Sequence, residues 1–199
     1  MAYPTVDAPY GLKPINLVGG QVFAGATRQI PVASGYDTNL LNGDLVKLIA
    51  DGTLEKDEGT ATATPVGVFL GCKYTDPNLG YELYSQYFPA NTAADDIVAY
   101  VADDPDQLYK VAVVSGTTVI AGVGRTVVGN NVSLVQNAGS TATGNSKVAV
   151  LSTSAATTNT LPIRVIDVVA ETATAADTYV ELVVKFNWGM HQYQNATGV

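Results

Sequence analysis

The sequence predicts an all-β protein, a β-sandwich or β-barrel, and three observations carry that prediction. Short runs rich in Val, Ile, Leu and Tyr recur along the chain between Gly, Asn, Asp and Pro, the pattern of strands separated by turns. In the clearest run, 178–187, Val180, Leu182, Val184 and Phe186 alternate with Tyr179, Glu181, Lys185 and Asn187, broken only at Val183. That period of two belongs to a strand with one buried face. Helical periodicity is nearly absent; the best helix candidate is 91–98, where Asn91-Thr92 precedes Asp95 and Asp96.

In chain order, Pro4, Pro9 and Pro14 remove backbone donors and favour extended backbone, which predicts an extended N-terminal arm over 1–20. Tyr3, Tyr10, Leu12 and Ile15 on that arm need burial, supplied either by their own domain or by a neighbouring subunit. A β-rich domain follows over 21–199. Its predicted strands are 21–24, 27–33, 44–50, 66–73, 81–88, 97–101, 107–114, 117–121, 126–128, 132–136, 147–151, 162–170 and 178–187. Asn42-Gly43-Asp44 marks a tight turn. The small, polar stretch 137–160 reads either as a flexible linker or as loops whose small side chains let backbones approach closely. Two β-subdomains with a boundary near 105–115 are an alternative, because the charge balance changes there.

That balance is uneven. Residues 1–106 hold fourteen acidic and five basic side chains, and residues 107–199 hold four and five, giving the net charge of −8. Ten scattered Lys and Arg form no patch able to displace counterions from a phosphate backbone, so no nucleic-acid partner is expected. Charged residues make up 14% of the chain, against roughly 25% in ordinary soluble domains. A surface so poor in charge suits coverage by protein partners. No stretch approaches the roughly 18 apolar residues of a membrane span, and the N-terminus lacks a basic start and an apolar run, so a protein made and kept in a cytosol is expected.

Candidate chemistry is sparse. A hydrolase triad needs a histidine base, and the only histidine is His191. The single Cys72 lies in Val-Gly-Val-Phe-Leu-Gly-Cys, an apolar strand in which it reads as a small core residue. Gly122-Val123-Gly124-Arg125-Thr126 lacks the Lys-Ser/Thr of a phosphate loop. Asp95, Asp96, Asp103, Asp104 and Asp106 form one acidic cluster, without the glycine and distal glutamate of an EF-hand loop. It reads as a solvated loop rather than as a calcium site or a glycosidase pair. No enzyme activity, cofactor or metal is therefore expected. Eleven Tyr stand against four Phe and one Trp, with Tyr81, Tyr84, Tyr87 and Phe88 bunched together, a composition suited to protein surfaces that meet other proteins and equally to a barrel rim.

Several segments carry a resemblance: Gly11-Leu12-Lys13-Pro14-Ile15-Asn16-Leu17-Val18-Gly19-Gly20, Pro65-Val66-Gly67-Val68-Phe69-Leu70-Gly71, Val101-Ala102-Asp103-Asp104-Pro105, the run 139–147, Leu161-Pro162-Ile163-Arg164-Val165, and Lys185-Phe186-Asn187 with His191-Gln192. They resemble head decoration, or cement, proteins of tailed phages, including phages of cyanobacteria and marine bacteria. The resemblance implies a β-rich virion protein on the outside of the phage head, binding the major capsid protein and itself, often as a homotrimer where capsomers meet. On that reading Tyr3, Pro4, Tyr10, Leu12, Lys13 and Pro14 of the arm are the candidate contacts to the capsid or to a neighbouring copy. The alternative reading is a tail or receptor-binding β-module that presents Tyr and Asp to a host glycan.

Overall fold

A computed structural model describes residues 6–175 and 177–199, and over these the chain is built of β-strands and three single 3-10 turns. The all-β prediction is met. The strands, in chain order, are β1 (Lys13–Leu17), β2 (Arg28–Pro31), β3 (Leu45–Leu48), β4 (Leu54–Lys56), β5 (Gly67–Thr75), β6 (Glu82–Ser85), β7 (Val98–Ala102), β8 (Gln107–Val114), β9 (Asn131–Val132), β10 (Leu134–Val135), β11 (Ala149–Leu151), β12 (Ile163–Val168), β13 (Ala173–Ala175), β14 (Thr178–Tyr179) and β15 (Glu181–Phe186).

Two sheets hold nearly all of them. The first runs β2-β7-β5-β3-β4, with β6 also on β5; the second runs β10-β11-β8-β15-β12-β9, with β1 also on β8. The chain changes sheet at 103–106, so every strand through Ala102 except β1 belongs to the first sheet and every larger strand from Gln107 onward to the second. The two sheets nevertheless share a core. Leu12, Leu45, Ala63, Val68 and Ala102 pack with Tyr109, Val111, Val113, Leu182, Val184 and Phe186. A second cluster, Ile30, Leu40, Val46, Phe69, Cys72, Tyr74, Phe88 and Val101, lies within the first sheet and the loops it covers.

Sequence pattern and pairing agree best in β8 and β15. Val180, Leu182, Val184 and Phe186 are all buried, as their alternation requires, and β15 pairs antiparallel with β8 through Glu181↔Ala112 to Val184↔Tyr109. Burying side chains of this size stabilises the fold by roughly 1.5–3 kcal/mol each relative to exposure. Glu181 breaks the polar-out rule, being 3% exposed. The Lys110 ammonium 3.4 Å away and the Tyr10 hydroxyl compensate it.

Other expectations are refined or corrected. Within the segment expected to be extended, residues 13–17 are extended and pack on their own domain, one of the two alternatives for their burial: β1 pairs antiparallel with β8, placing Lys13 opposite Lys110 and Pro14 opposite Tyr109. The extended backbone that three prolines favour is equally the backbone of an edge strand. Docking requires close contact at Gly11, where a Cβ would stand 2.7 Å from the Gly43 carbonyl oxygen and from Ser146 Cβ, and where φ is +81°. The Leu12 N–H then donates to that carbonyl at 3.0 Å. Residues 126–128 are not a strand, because 125–127 close a 3-10 turn in which Val128 N–H donates to the Arg125 carbonyl at 3.1 Å. Segments 21–24 and 117–121 contribute single bridges, Asn16↔Val22 and Val114↔Ile120. The best helix candidate, 91–98, does not form a helix. Asn91 is left-handed at φ 60°, and the Asp96 carboxylate accepts from Thr75 N–H at 2.9 and 3.1 Å instead of capping its own segment.

The 137–160 region forms loops and the short strand β11. Gly139 fits only because it lacks a Cβ, which would meet Leu41 Cδ1 at 2.1 Å. Ser146 anchors the same loop, its hydroxyl donating at 2.5 Å to the buried Asp44 carboxylate. Asp44 also accepts from Leu41 N–H at 2.9 Å and has the Lys56 ammonium at 3.7 Å, yet burial outweighs these and holds its acidity below that of an ordinary carboxyl.

Candidate functional site

Of the candidate contact residues, Tyr3 and Pro4 lie outside the described residues. The other four lie together, along the seam where the N-terminal strand meets the domain. Leu12 is fully buried in the core shared by the sheets. The Tyr10 hydroxyl donates to Glu181, and the Lys110 ammonium stands 5.6 Å from the Tyr10 ring centre. Burial and the adjacent Glu181 carboxylate push the Tyr10 hydroxyl far above its usual range. The Lys13 ammonium donates to Asn42 Oδ1 and, at 3.4 Å, to Asn145 Oδ1, and Pro14 sits in the β1–β8 ladder. These side chains hold β1 to its own domain.

The five carboxylates of the acidic stretch do not converge. Asp96 serves β5 through Thr75, whose hydroxyl also donates to it at 2.7 Å. Asp103 pairs with Arg28 at 2.7 Å and accepts from the Tyr193 hydroxyl at 2.8 Å. Asp104 turns the chain by accepting from Asp106 N–H at 2.8 Å, and Asp106 pairs with Lys185 at 2.9 Å. No group of three or more metal-ligating side chains occurs among the described residues.

Cys72 and His191 sit in different parts of the core. The thiol donates to the Tyr87 carbonyl at 3.5 Å, and burial pushes its pKa up to about 12, far from the thiolate form a nucleophile needs. His191 is fully buried between the rings of Phe186 and Tyr193, with centroids at 5.6 and 5.1 Å. Its Nδ1 accepts from Tyr193 N–H at 3.2 Å, so the proton of the neutral ring is on Nε2, which faces the backbone of Val66 and Asp103. A base in that position has no solvent path to a substrate.

A groove and a set of exposed side chains stand out at the surface. Arg28, Asp103, Asp104, Pro105 and Tyr193 line an open groove of about 550 Å³. Arg28 lies 5.2 Å from the Tyr193 ring centre, and burial with the Asp103 carboxylate pushes the Tyr193 hydroxyl up to about 12. Elsewhere, large apolar side chains stand open to solvent: Leu79 at 57%, Tyr81 at 55% and Tyr84 at 66% on the β5–β6 hairpin, and Trp188 at 76% just after β15. The tyrosine bunch therefore splits, because Phe88 is fully buried against Tyr36 and Tyr74, both with ring centroids 6.3 Å away. Sequence reasoning did not single out Leu79. Its signal is the turn Asp76-Pro77-Asn78-Leu79-Gly80, which raises a leucine at a hairpin tip.

Comparison with family models, with curated proteins and with solved structures finds no match to this chain.

Proposed function

We propose that this chain is a capsid decoration protein of a tailed phage, a non-enzymatic virion component. It binds the outer surface of the assembled head, touching the major capsid protein and other copies of itself, with a homotrimer as the unit the sequence resemblance implies. The observation that carries this reading is the exposure of Leu79, Tyr81, Tyr84 and Trp188, large apolar groups on a chain in which only 14% of residues are charged. Exposed aromatic and apolar side chains on a charge-poor surface suit coverage by other proteins. A decoration protein works through many shallow contacts repeated by symmetry, where multivalency multiplies weak single affinities.

A second reading is a tail or receptor-binding module, favoured by the groove in which the Tyr193 ring lies beside Asp103 and Arg28, an aromatic face with polar groups of the kind that can hold a sugar. Cryo-electron microscopy of the particle containing this chain separates the two. The decoration reading expects many copies in icosahedral order on the outer shell. A few copies at one vertex or on the tail would overturn it in favour of the receptor-binding reading.

A further inference from the structure

Sheet edges present unpaired N–H and C=O groups, and proteins blunt them with proline, charge, brevity or a covering segment. Most edges in this chain are blunted. β1 carries Lys13 and Pro14; β2 carries Arg28 and Pro31; β4 has three residues; β9 and β10 have two each. β6, Glu82-Leu83-Tyr84-Ser85, has neither proline nor a basic residue, and among the described residues it pairs with β5 alone.

The register fixes which groups of β6 face outward. Asp76 N–H donates to the Tyr81 carbonyl at 3.1 Å, which makes 76↔81 a hydrogen-bonded pair, so the bonded pairs that follow are 74↔83 and 72↔85. Thr75 points the other way, giving its N–H to Asp96 on the β7 side. The backbone groups of Glu82 and Tyr84 therefore point away from β5, into solvent.

We infer that β6 is a self-pairing edge, by which two copies of this chain join antiparallel about a two-fold axis through Leu83. Only one register satisfies the outward groups of both copies. It pairs Glu82 with Tyr84 of the second copy and Tyr84 with its Glu82, forming four backbone hydrogen bonds, and it places the two Leu83 residues directly opposite each other. Both faces of the extended sheet then match. On the outer face each Glu82 carboxylate meets the other copy's Tyr84 hydroxyl, beside Lys73, whose ammonium is already 3.4 Å from Glu82 of its own chain. On the inner face Leu83, which packs against the first sheet's own core cluster, meets its symmetry mate, so that apolar layer continues across the axis. Leu79 and Tyr81, exposed at the same hairpin, flank the junction. An isologous contact of this kind requires a self-complementary patch, and the sequence around Leu83 supplies one.

The pairing is independent of capsid binding and of any trimer. On a monomer it makes a dimer, and on a trimer it joins two trimers. Sedimentation analysis of the full chain should show the subunit number doubling with concentration. Tyr84→Pro should abolish that step, because the 84 N–H lies outside the β5–β6 ladder and its loss breaks no internal bond. The double variant Glu82→Lys with Tyr84→Lys should abolish it too, by setting lysines opposite each other. Leu83→Cys should form an intermolecular disulfide under mild oxidation, because directly opposed non-hydrogen-bonded residues have Cα atoms about 4.5 Å apart. Ser85→Cys should not, since its two copies would lie roughly 13 Å apart along the strands. The native Cys72 is 1% exposed and does not compete. Absence of doubling in the natural chain, or cross-linking of Leu83→Cys no faster than of Ser85→Cys, would overturn the inference. So would doubling that persists in both the proline and the double-lysine variants.

Discussion

At the scale of single residues, the most informative group is His191. Two carboxylates, Asp103 and Asp104, favour its protonated form, but burial outweighs them and holds the ring below the ordinary imidazole value of 6.5. The sign of the consequence follows directly. Below pH 6.5 the unfolded chain binds a proton at this position that the folded chain refuses, so this contribution to stability is intact above 6.5 and is lost as pH falls toward the lower folded value. Denaturant titrations across that window, above the carboxylate range, should show stability declining with acid. His191→Asn preserves an acceptor for Tyr193 N–H while removing the titration, so it should flatten that slope even though the lost contact with Phe186 lowers stability at neutral pH. A variant that keeps the full slope would assign the acid sensitivity to another group.

At the scale of elements, β1 decides how the N-terminal segment is understood. Leu12 is fully buried beneath it, its N–H is satisfied by Gly43, and the Tyr10 hydroxyl completes the compensation of the buried Glu181. Leu12→Ala should cost about 2–5 kcal/mol, the range for emptying a buried leucine site. A chain beginning at Gly20 should show a lower melting temperature, because it loses a strand from β8 and strips Glu181 of one partner. Unchanged melting would show that the strand adds nothing to the stability of the domain. The sequence's prolines and apolar residues were legible here as extended backbone in need of burial, but not the surface that buries them, because that surface is β8, ninety residues away. The same limit accounts for the missed β4, whose Leu54 alone is apolar, and for 126–128, where a β-branched run closes a local turn. By contrast β8 and β15 were readable nearly to their ends, since the apolar, β-branched run of β8 and the alternation of β15 are properties of the strands themselves. Of the arm residues expected to need burial, Leu12 is fully buried and Tyr10 partly so, both within their own domain. The exposed apolar groups at Leu79 and Trp188 gave no periodic signal, since each stands in a loop.

At the scale of the whole molecule, the junctions between the two sheets include the shared core around Leu45, Val68 and Tyr109, Ser146 reaching Asp44, and the C-terminal segment returning across the first sheet. The C-terminal junction is made by side-chain and backbone groups together. After β15 the chain turns back, and the Gln192 side chain treats Leu48 as a neighbouring strand would: its Oε1 accepts from Leu48 N–H at 2.7 Å and its Nε2 donates to the Leu48 carbonyl at 3.0 Å. The Gln192 backbone N–H donates to the Pro65 carbonyl at 3.0 Å, and the Tyr193 hydroxyl reaches Asp103 next to Arg28 of β2. One side chain thus completes the end of β3 from the far terminus of the sequence. Leaving the Leu48 pair unmet should cost about 1–3 kcal/mol, the penalty for stranded buried backbone groups, reduced to the extent that water reaches them. Gln192→Ala should therefore speed amide exchange at Leu48 while leaving β8 and β15 protected, because their ladder does not involve residue 192. Gln192→Glu keeps the acceptor and loses the donor, so exchange at Leu48 should fall between the two. If Gln192→Ala left Leu48 exchange unchanged, the return segment would be resting on the first sheet without fastening it. If β8 and β15 loosened as well, the two sheets would be unfolding as one cooperative unit through this contact.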